Sequence, residues 1–338
     1  MVYIRIDIGP KFGLGHYYRI KSLINYLQIK KYKIVIDKPL KGDFLKNEEA
    51  NLIYLNIGNK KINEENDSKN FIKILKTNRN SENIIIKDSY RFNYKWEKKI
   101  SPYVKKIIII SDDLKNKHYA DFYINHNPKL NYLDKNTLNL LLKINKKKCK
   151  FLVGTKYSLF NTQINKKKFL PSDVVFYNGG SGDIFIYEKI IDKLLKHRKF
   201  KIIMIIGPYS ILRKKLELKI KNSKNIKIIR HPKNILNYLK DTKLFVSSAS
   251  IAMFEASFLR LPSLLFRMSK NQNLTDAEYE SLGHFYFLEK KDIKNTSKIT
   301  SLIISMLDNT NEIKKLMFKR GLNPIFIKEN YKNSIKLI

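Results

Sequence analysis

Short apolar runs alternate with amphipathic segments along most of the chain. Runs rich in isoleucine and valine and bounded by turn residues predict buried strands, and apolar residues at helical spacing predict helices. A first series of predicted strands comprises Val2–Asp7, Tyr32–Ile36, Leu52–Leu55, Asn83–Lys87, Lys106–Ile110, Phe122–Asn125 and Phe151–Val153. A second series comprises Asp173–Tyr177, Lys201–Ile206, Ile226–Ile229, Lys243–Val246 and Ser263–Phe266.

Helical patterns fill much of the sequence between these strands. They cover His16–Lys30, Asn70–Thr77, Leu138–Leu142, Ile184–His197, Ser210–Lys221, Asn234–Lys240, Ile251–Leu259 and Thr275–Ser281. Such alternation is typical of parallel sheets covered by helices. The fold class is therefore α/β, with two Rossmann-like, doubly wound domains that we expect to face each other across a cleft. We assign residues 1–158 to the first domain, 159–170 to a linker and 171–338 to the second. The helical end from Asp292 on is a candidate to pack back onto the first domain.

Length and composition add limits to this picture. The chain has 338 residues, of which 43% are hydrophobic, enough for two real cores. Its single cysteine, Cys149, excludes an internal disulfide, a cysteine zinc cluster and a redox pair. Met1–Arg5 leads straight into a strand, so no signal peptide is expected. Leu244–Phe266 could span a bilayer by length, but Glu255 and Arg260 interrupt a strand–helix–strand pattern. We expect a cytoplasmic monomer without membrane insertion.

The formal net charge of +37 suggests a nucleic-acid or membrane-surface protein at first sight. The lysines, however, are spread along the whole chain among asparagine and isoleucine, and no nucleic-acid-binding motif accompanies them. Lys146–Lys148 and Lys166–Lys168 are short runs that we interpret as solvated faces. We therefore expect no specific nucleic-acid partner. The same charge would raise the association rate of an anionic small substrate.

Candidate chemistry begins where the first predicted strand gives way to the first helix, at Gly13, Gly15 and His16. Glycine allows a tight bend and close approach to a ligand. A helix N-terminus offers free N–H groups and a partial positive charge, which disfavours the imidazolium form of a histidine. His16 is thus a candidate general base. The alternative is that His16 only caps the helix.

Further polar clusters follow other predicted strands. They are Asp88-Ser89-Tyr90, Asp112-Asp113, Gly179-Gly180-Ser181-Gly182-Asp183 and Ser247-Ser248-Ala249-Ser250. Ligands of doubly wound sheets bind beyond the carboxyl ends of strands, and glycine- or serine-rich turns before helices suit phosphate. Ordinary turn and N-cap chemistry is the alternative. The turns match neither a Walker A loop nor a dinucleotide fingerprint, because Tyr18 stands where a third glycine would be.

A metal site has little support in the sequence. Five residues could suggest a divalent ion: Asp112, Asp113, His118, Asp121 and His126. Their spacing fits no standard ligand pattern, so turn acids and surface histidines are the preferred interpretation.

Several motifs in one order resemble the UDP-2,4-diacetamido-2,4,6-trideoxy-β-L-altropyranose hydrolases of pseudaminic acid biosynthesis and the related spore-coat polysaccharide proteins. The resemblance covers roughly residues 2–285. The motifs are Arg5-x-Asp7, Gly13-x-Gly15-His16-x-x-Arg19, Asp88-Ser89-Tyr90 with Trp96, Asp112-Asp113-Leu114, Asp121 through Asn125, Gly154-Thr155-Lys156-Tyr157, Gly179 through Asp183, Phe254-Glu255, Leu261-Pro262 and Asn271-Gln272.

The resemblance implies a GT-B-like fold without metal or cofactor. It implies cleavage of the sugar C1–O bond of a UDP-sugar with inversion, which releases UDP and a free 2,4-diacetamido-2,4,6-trideoxyhexose for nonulosonic acid synthesis. His16 would activate water, with Asp7 and Tyr90 beside the sugar. Asp7 is also an alternative base. Substrate and UDP binding would fall to Gly13, Gly15, Arg19, Gly179, Gly180, Ser250, Glu255, Asn271 and Gln272.

The chain also departs from the family pattern. Before Glu255 the family has Gly-Gly-Ser-Thr, whereas this chain has Ala249-Ser250-Ile251-Ala252. The change works against close backbone approach to a diphosphate. Tyr17 and Tyr18 replace smaller apolar residues after His16. Two alternatives therefore stay open, a GT-B glycosyltransferase that uses a UDP-sugar donor and a non-catalytic nucleotide-sugar-binding protein.

Overall fold

The computed structural model describes residues 1–40, 43–55, 62–77, 82–112, 114–145, 148–165, 169–180, 182–211, 213–268, 276–283, 286–317 and 322–335. The chain divides into two compact units. The first comprises Met1–Leu159 with Ile325–Ile338, and the second comprises Phe160–Pro324.

The first unit is built on a seven-stranded parallel sheet with the order β3-β2-β1-β4-β5-β6-β7. Its strands are β1 (Val2–Ile6), β2 (Tyr32–Ile36), β3 (Leu52–Tyr54), β4 (Ile84–Asp88), β5 (Lys106–Ile110), β6 (Phe122–Asn125) and β7 (Lys150–Val153). Its first helices are α1 (Gly15–Leu27), α2 (Glu64–Thr77), α3 (Tyr94–Ile100) and α4 (Lys135–Ile144).

The second unit is built on a six-stranded parallel sheet with the order β10-β9-β8-β11-β12-β13. Its strands are β8 (Ser172–Tyr177), β9 (Ile202–Ile206), β10 (Ile226–Arg230), β11 (Thr242–Ser248), β12 (Ser263–Arg267) and β13 (Tyr286–Glu289). Its helices are α5 (Glu188–His197), α6 (Lys214–Lys221), α7 (Leu236–Leu239), α8 (Ala252–Phe258), α9 (Asp276–Ser281), α10 (Thr296–Asp308) and α11 (Thr310–Met317).

Both sheets reverse their strand order at one place. In the first unit the reversal lies between β1 and β4, and in the second it lies between β8 and β11. At such a switch point the loops that follow the two strands diverge to opposite faces and leave a crevice for a ligand. The predicted α/β class with two doubly wound sheets is confirmed by this topology.

All twelve predicted strands are present, with ends shifted by at most two residues. Among the strands and α-helices of the described ranges, α3 and β13 were not predicted. Lysines dominate α3, and β13 lies at the edge of its sheet. Helix α2 begins at Glu64, earlier than predicted. Its polar first turn lacks an apolar signal but carries acids that favour a helix N-terminus.

One segment of the sequence, Leu244–Phe266, is long enough to span a bilayer. Leu244–Phe266 contains β11, α8 and β12, as its pattern predicted. Within the described ranges, no helix combines the length and the apolar character that crossing a bilayer requires.

The last helix, α12 (Pro324–Ser334), belongs with the first unit, although the predicted second domain extends to residue 338. Tyr331 is fully buried between Tyr26 and Tyr157, with ring centroids 5.7 and 5.4 Å away. Its hydroxyl donates to the backbone oxygen of Tyr157 at 2.6 Å. A buried aromatic ring with a satisfied hydroxyl therefore fastens the C-terminal helix to the first unit.

Candidate functional site

The loop between β1 and α1 is closed by two glycines. Gly9 and Gly13 exchange backbone hydrogen bonds of 3.3 and 2.7 Å, and both have positive φ angles, +134° and +70°. This closure turns the chain so that α1 begins at Gly15. The helix has no acidic residue in its first turn. Its opening turns carry His16 and Arg19, both buried.

His16 is paired with Asp88 at the switch point of the first sheet. Asp88 ends β4, next to β1, and its Oδ1 lies 2.6 Å from His16 Nδ1. Both side chains are almost completely buried. At this distance from a carboxylate, Nδ1 must carry the proton and donate it, which we assign from the hydrogen-bond network. The tautomer leaves the lone pair on Nε2, where a base needs it.

Arg19 holds the carboxylate that orients His16. Its Nε and Nη2 donate to the two oxygens of Asp88 at 2.9 and 2.6 Å. Arg19 Nη2 also lies 3.0 Å from His16 Nδ1, but both are donors and share Asp88 Oδ1 instead of bonding each other. Such a bidentate pair fixes the carboxylate in place. The Arg19 guanidinium therefore compensates the negative charge of Asp88, and a protonated His16 is not needed for this.

The same guanidinium reaches a second carboxylate. Arg19 Nη1 donates to Asp112 Oδ1 at 2.5 Å, and the Tyr90 hydroxyl donates to Asp112 Oδ2. Although burial opposes it, the Arg19 charge holds the pKa of Asp112 well below its usual range. Burial and the Asp112 charge raise the pKa of Tyr90, so its hydroxyl stays a donor. The Tyr90 ring stands edge-on to His16, with centroids 4.8 Å apart.

A second histidine lies behind Asp112. His126 Nε2 is 3.8 Å from Asp112 Oδ1, and burial lowers the pKa of His126 to about 4. His126 is therefore neutral at pH 7. It is buried, as is His118, so the interpretation of these two as surface histidines was wrong.

His118 belongs to a separate buried cluster. Its Nδ1 lies 2.8 Å from Glu97 Oε1, and Lys87 Nζ lies 2.6 Å from the same oxygen. The Asp121 carboxylate instead accepts a bond from the backbone N–H of Ile107 at 2.8 Å. Among the residues whose placement is described, no group of three or more histidine, cysteine, aspartate or glutamate side chains is arranged to hold a metal ion.

Asp7 faces the loop after β4. Its carboxylate accepts from Ser89 Oγ at 2.9 Å, from Tyr90 N–H at 3.0 Å and from Arg91 Nε at 2.8 Å. Arg91 also pairs with Asp37 at 2.9 Å. These bonds give Asp7 a clear role in shaping the segment that carries Asp88 and Tyr90.

The second unit places a glycine-rich turn at its own switch point. Gly179 follows β8 with φ +77°, and the space for a side chain there ends at the Ser248 hydroxyl of β11. A Cβ on Gly207 would stand only 2.4 and 2.6 Å from the carbonyl oxygens of Gly179 and Gly180. Glycine at position 207 therefore lets that backbone pack directly on the turn, and the positive φ angle of Gly179 accounts for glycine at position 179. Gly182 has no room either, because a Cβ would lie 1.9 Å from Asn178 O.

Glu255 lies on α8, which follows β11. Ser250 stands in the connecting turn, where its carbonyl oxygen accepts from Met253 N–H at 2.9 Å. Glu255 is 8% exposed, and burial raises its pKa to about 8, partly offset by a hydrogen bond from the Asn161 backbone. In the part of the second unit that is described, no cation forms an ion pair with this carboxyl. A buried carboxyl without a cation is suited to hydroxyl partners.

Other predicted residues lie outside the described ranges. They are Asn271 and Gln272 of the predicted substrate site, with Asp113, Ser181 and the histidine of Gly283-His284.

Sequence reasoning missed part of the site. Asp88 was noticed as a polar strand end and as part of a family motif, but it was given no role, and Arg91 and Asp37 were not considered. The switch-point rule provided a signal for Asp88, because two adjacent parallel strands that diverge bring their last residues together. Arg91 and Asp37 gave no such signal.

Comparisons with known proteins bear on the fold. No protein-family model matches the chain. The uncharacterized protein MJ1062 of Methanocaldococcus jannaschii is 26% identical over 378 residues, covering 96% of this chain and 73% of the relative.

Several solved structures are similar to this chain over nearly its whole length. MurG of Acinetobacter baumannii has a TM-score of 0.61 at 9% identity, with 98% of each chain covered. A putative UDP-N-acetylglucosamine 2-epimerase of Listeria monocytogenes has a TM-score of 0.60 at 10% identity, covering 97% of this chain and 94% of the other. The pneumococcal O-GlcNAc transferase GtfA, solved with UDP and GlcNAc, has a TM-score of 0.58 at 8% identity, covering 98% of this chain and 97% of the other. The chain thus has two parallel-sheet α/β domains of the GT-B kind.

Proposed function

We propose that the protein is a metal-independent hydrolase of a UDP-linked 2,4-diacetamido-2,4,6-trideoxyhexose. The observation that carries the proposal is the buried pair of His16 and Asp88, held by Arg19. The motifs around these residues resemble nucleotide-sugar hydrolases. Among the structural neighbours, one is named as a putative UDP-N-acetylglucosamine 2-epimerase and GtfA was solved with UDP and GlcNAc, which supports a UDP-sugar as ligand.

In the proposed reaction, His16 Nε2 takes a proton from water while the water oxygen attacks the anomeric carbon. The C1–O bond breaks and its electron pair leaves with UDP. Asp88 stabilises the imidazolium that forms, as the carboxylate of a histidine dyad does. Tyr90 and Asp7 are proposed to line the sugar side.

The second unit is proposed to hold UDP. Backbone N–H groups at Gly179 and Gly180 and the hydroxyl of Ser250 are suited to phosphate oxygens. The Glu255 carboxyl is suited to ribose hydroxyls. Gly13, Gly15, Asn271 and Gln272 complete the proposed substrate contacts. Ala249 and Ile251 replace residues that would donate or allow closer approach, so weaker diphosphate binding than in the family is expected.

Hydrolysis in ¹⁸O-labelled water tests the proposal. The purified chain is incubated with the UDP-linked diacetamido-trideoxyhexose and EDTA, without acceptor, and both products are analysed by mass spectrometry. We expect UDP release, with the label in the free sugar and not in UDP. His16→Gln should lose at least about a hundredfold in rate. His197→Gln, on an exposed position of α5, is the matched control and should keep full activity.

Label in UDP would contradict C1–O cleavage, and full activity of His16→Gln would contradict the assigned base. A glycosyltransferase is the second candidate, because the O-GlcNAc transferase GtfA is a structural neighbour. It would release UDP only when an acceptor hydroxyl is supplied. Binding of the UDP-sugar without turnover under either condition would identify a non-catalytic binding protein.

A further inference from the structure

Helix α4 and the turn before it expose a cluster of large apolar side chains on the first unit. We call Tyr132, Leu133, Leu138 and Leu142 the α4 patch. Tyr132 is 87% exposed, and the three leucines are between 43% and 57% exposed. Single exposed apolar residues are ordinary on protein surfaces, but a cluster in one short segment marks an interaction site.

The orientation of the patch follows from how α4 packs. Leu141 and Ile144 are buried against Tyr123 and Val153, which fixes the inner face of the helix. Leu138 and Leu142 therefore lie together on one exposed flank of α4, and Leu140 lies on the opposite flank, about 160° away around the helix axis. Leu138 and Leu142 are four residues apart and therefore adjacent on the helix surface, and Lys135 falls on the same stripe at i, i+3, i+7 spacing.

The surroundings of the patch are strongly basic. Residues 129–150 contain seven lysines and a single acid, Asp134. The five of these lysines whose placement is described are all exposed: Lys129, Lys135, Lys143, Lys148 and Lys150. Asp134 caps α4, where its carboxylate accepts from Thr137 N–H at 2.7 Å and its pKa is lowered. The local positive charge is thus almost uncompensated.

We propose that the α4 patch docks the protein onto an anionic lipid surface. Leucine and tyrosine side chains would enter the interfacial region, while lysine stems lie along it and their ammonium groups reach lipid phosphates. A second copy of the chain fits less well, because the lysines of both copies would face each other. The patch is also a convex helix surface, which lipid accommodates without a matching groove. With ten residues α4 lies on the bilayer and does not span it.

Vesicle sedimentation distinguishes docking through the α4 patch from the general electrostatic attraction of a chain with a net charge of +37 to anionic lipid. The full chain is mixed with vesicles of phosphatidylglycerol and phosphatidylcholine in equal parts, or of phosphatidylcholine alone. The double variant Leu138→Ser with Leu142→Ser should bind the anionic vesicles about tenfold more weakly than the unchanged chain. Ile211→Ser with Leu218→Ser removes two apolar side chains of the second unit that are more exposed than Leu138 and Leu142, and this variant should bind normally. All these variants keep the net charge.

A fluorescent probe reports insertion directly. The single native tryptophan, Trp96, is fully buried, so Tyr132→Trp adds the one exposed indole. Anionic vesicles should shift its emission to the blue, and phosphatidylcholine vesicles should not. Equal binding by the two serine double variants, or no emission shift, would overturn the proposal. A dimer in sedimentation velocity that the Leu138→Ser, Leu142→Ser variant abolishes would instead assign the patch to self-association and also overturn it. None of these readouts depends on UDP-sugar turnover.

Discussion

His16 and Asp88 are 72 residues apart in the sequence and lie 2.6 Å apart in the structure, nitrogen to oxygen. The contact exists because β1 and β4 are neighbours at the point where the strand order of the first sheet reverses. A helix that starts after β1 and a carboxylate that ends β4 are thereby brought together. The pairing fixes which nitrogen of His16 carries the proton.

Asp88→Asn should reduce the rate of UDP release by about 10²–10⁴-fold, because an amide does not enforce the tautomer and does not stabilise the imidazolium. UDP binding, which we propose for the second unit, should be unchanged when measured by calorimetry. Asp308→Asn, at a half-exposed ion pair with Arg198, is the control and should leave turnover intact. Retention of full activity by Asp88→Asn would refute the dyad.

Arg19→Lys distinguishes a positioning residue from a substrate contact. Lysine keeps the charge but loses the fork that binds Asp88 through two nitrogens and Asp112 through a third. We expect kcat to fall about tenfold or more, with KM for the UDP-sugar nearly unchanged. The control is Arg198→Lys, at an exposed site. A large rise in KM at constant kcat would show that Arg19 contacts the substrate, as the family resemblance implies.

The strands could be predicted from the sequence because each is a short, almost wholly apolar run that a parallel sheet buries on both faces. The position of His16 at the start of α1 could be predicted because the glycines and the histidine lie next to each other along the chain. The contacts of Arg91 with Asp7 and Asp37 could not be predicted, since these residues follow three different strands and form no motif along the sequence. The sequence offered the helical end from Asp292 on as a candidate to pack onto the first domain, but it did not identify Tyr331 as the residue that makes the contact.

Glu255 should give stability an unusual dependence on pH. Burial raises its pKa to about 8 in the folded chain, above the ordinary value of 4.5. Between these values the unfolded chain has lost this proton and the folded chain keeps it, so this group makes stability fall as pH rises through that window and level off above it. Glu255→Gln removes the effect. From pH 5 to pH 8, the thermal midpoint of this variant should therefore rise relative to the midpoint of the unchanged chain. Glu312→Gln, on an exposed acid, should show no such gain. Parallel pH curves for Glu255→Gln and the unchanged chain would contradict the raised pKa.

Tyr331 should be a main anchor of α12 on the first unit. Tyr331→Ala removes a fully buried ring and the hydrogen bond to Tyr157, and should cost about 3–5 kcal/mol of the free energy of unfolding. Tyr331→Phe loses only the hydroxyl and should cost about 1 kcal/mol. Trp96 is the single tryptophan and lies in the core of the first unit, so urea unfolding followed by its fluorescence reports this unit. Phe326→Ala, on a 63% exposed side chain of the same helix, is the control and should leave the midpoint within error. An equal loss in Phe326→Ala and Tyr331→Ala would mean that α12 is held by its surface and not by the tyrosine cluster.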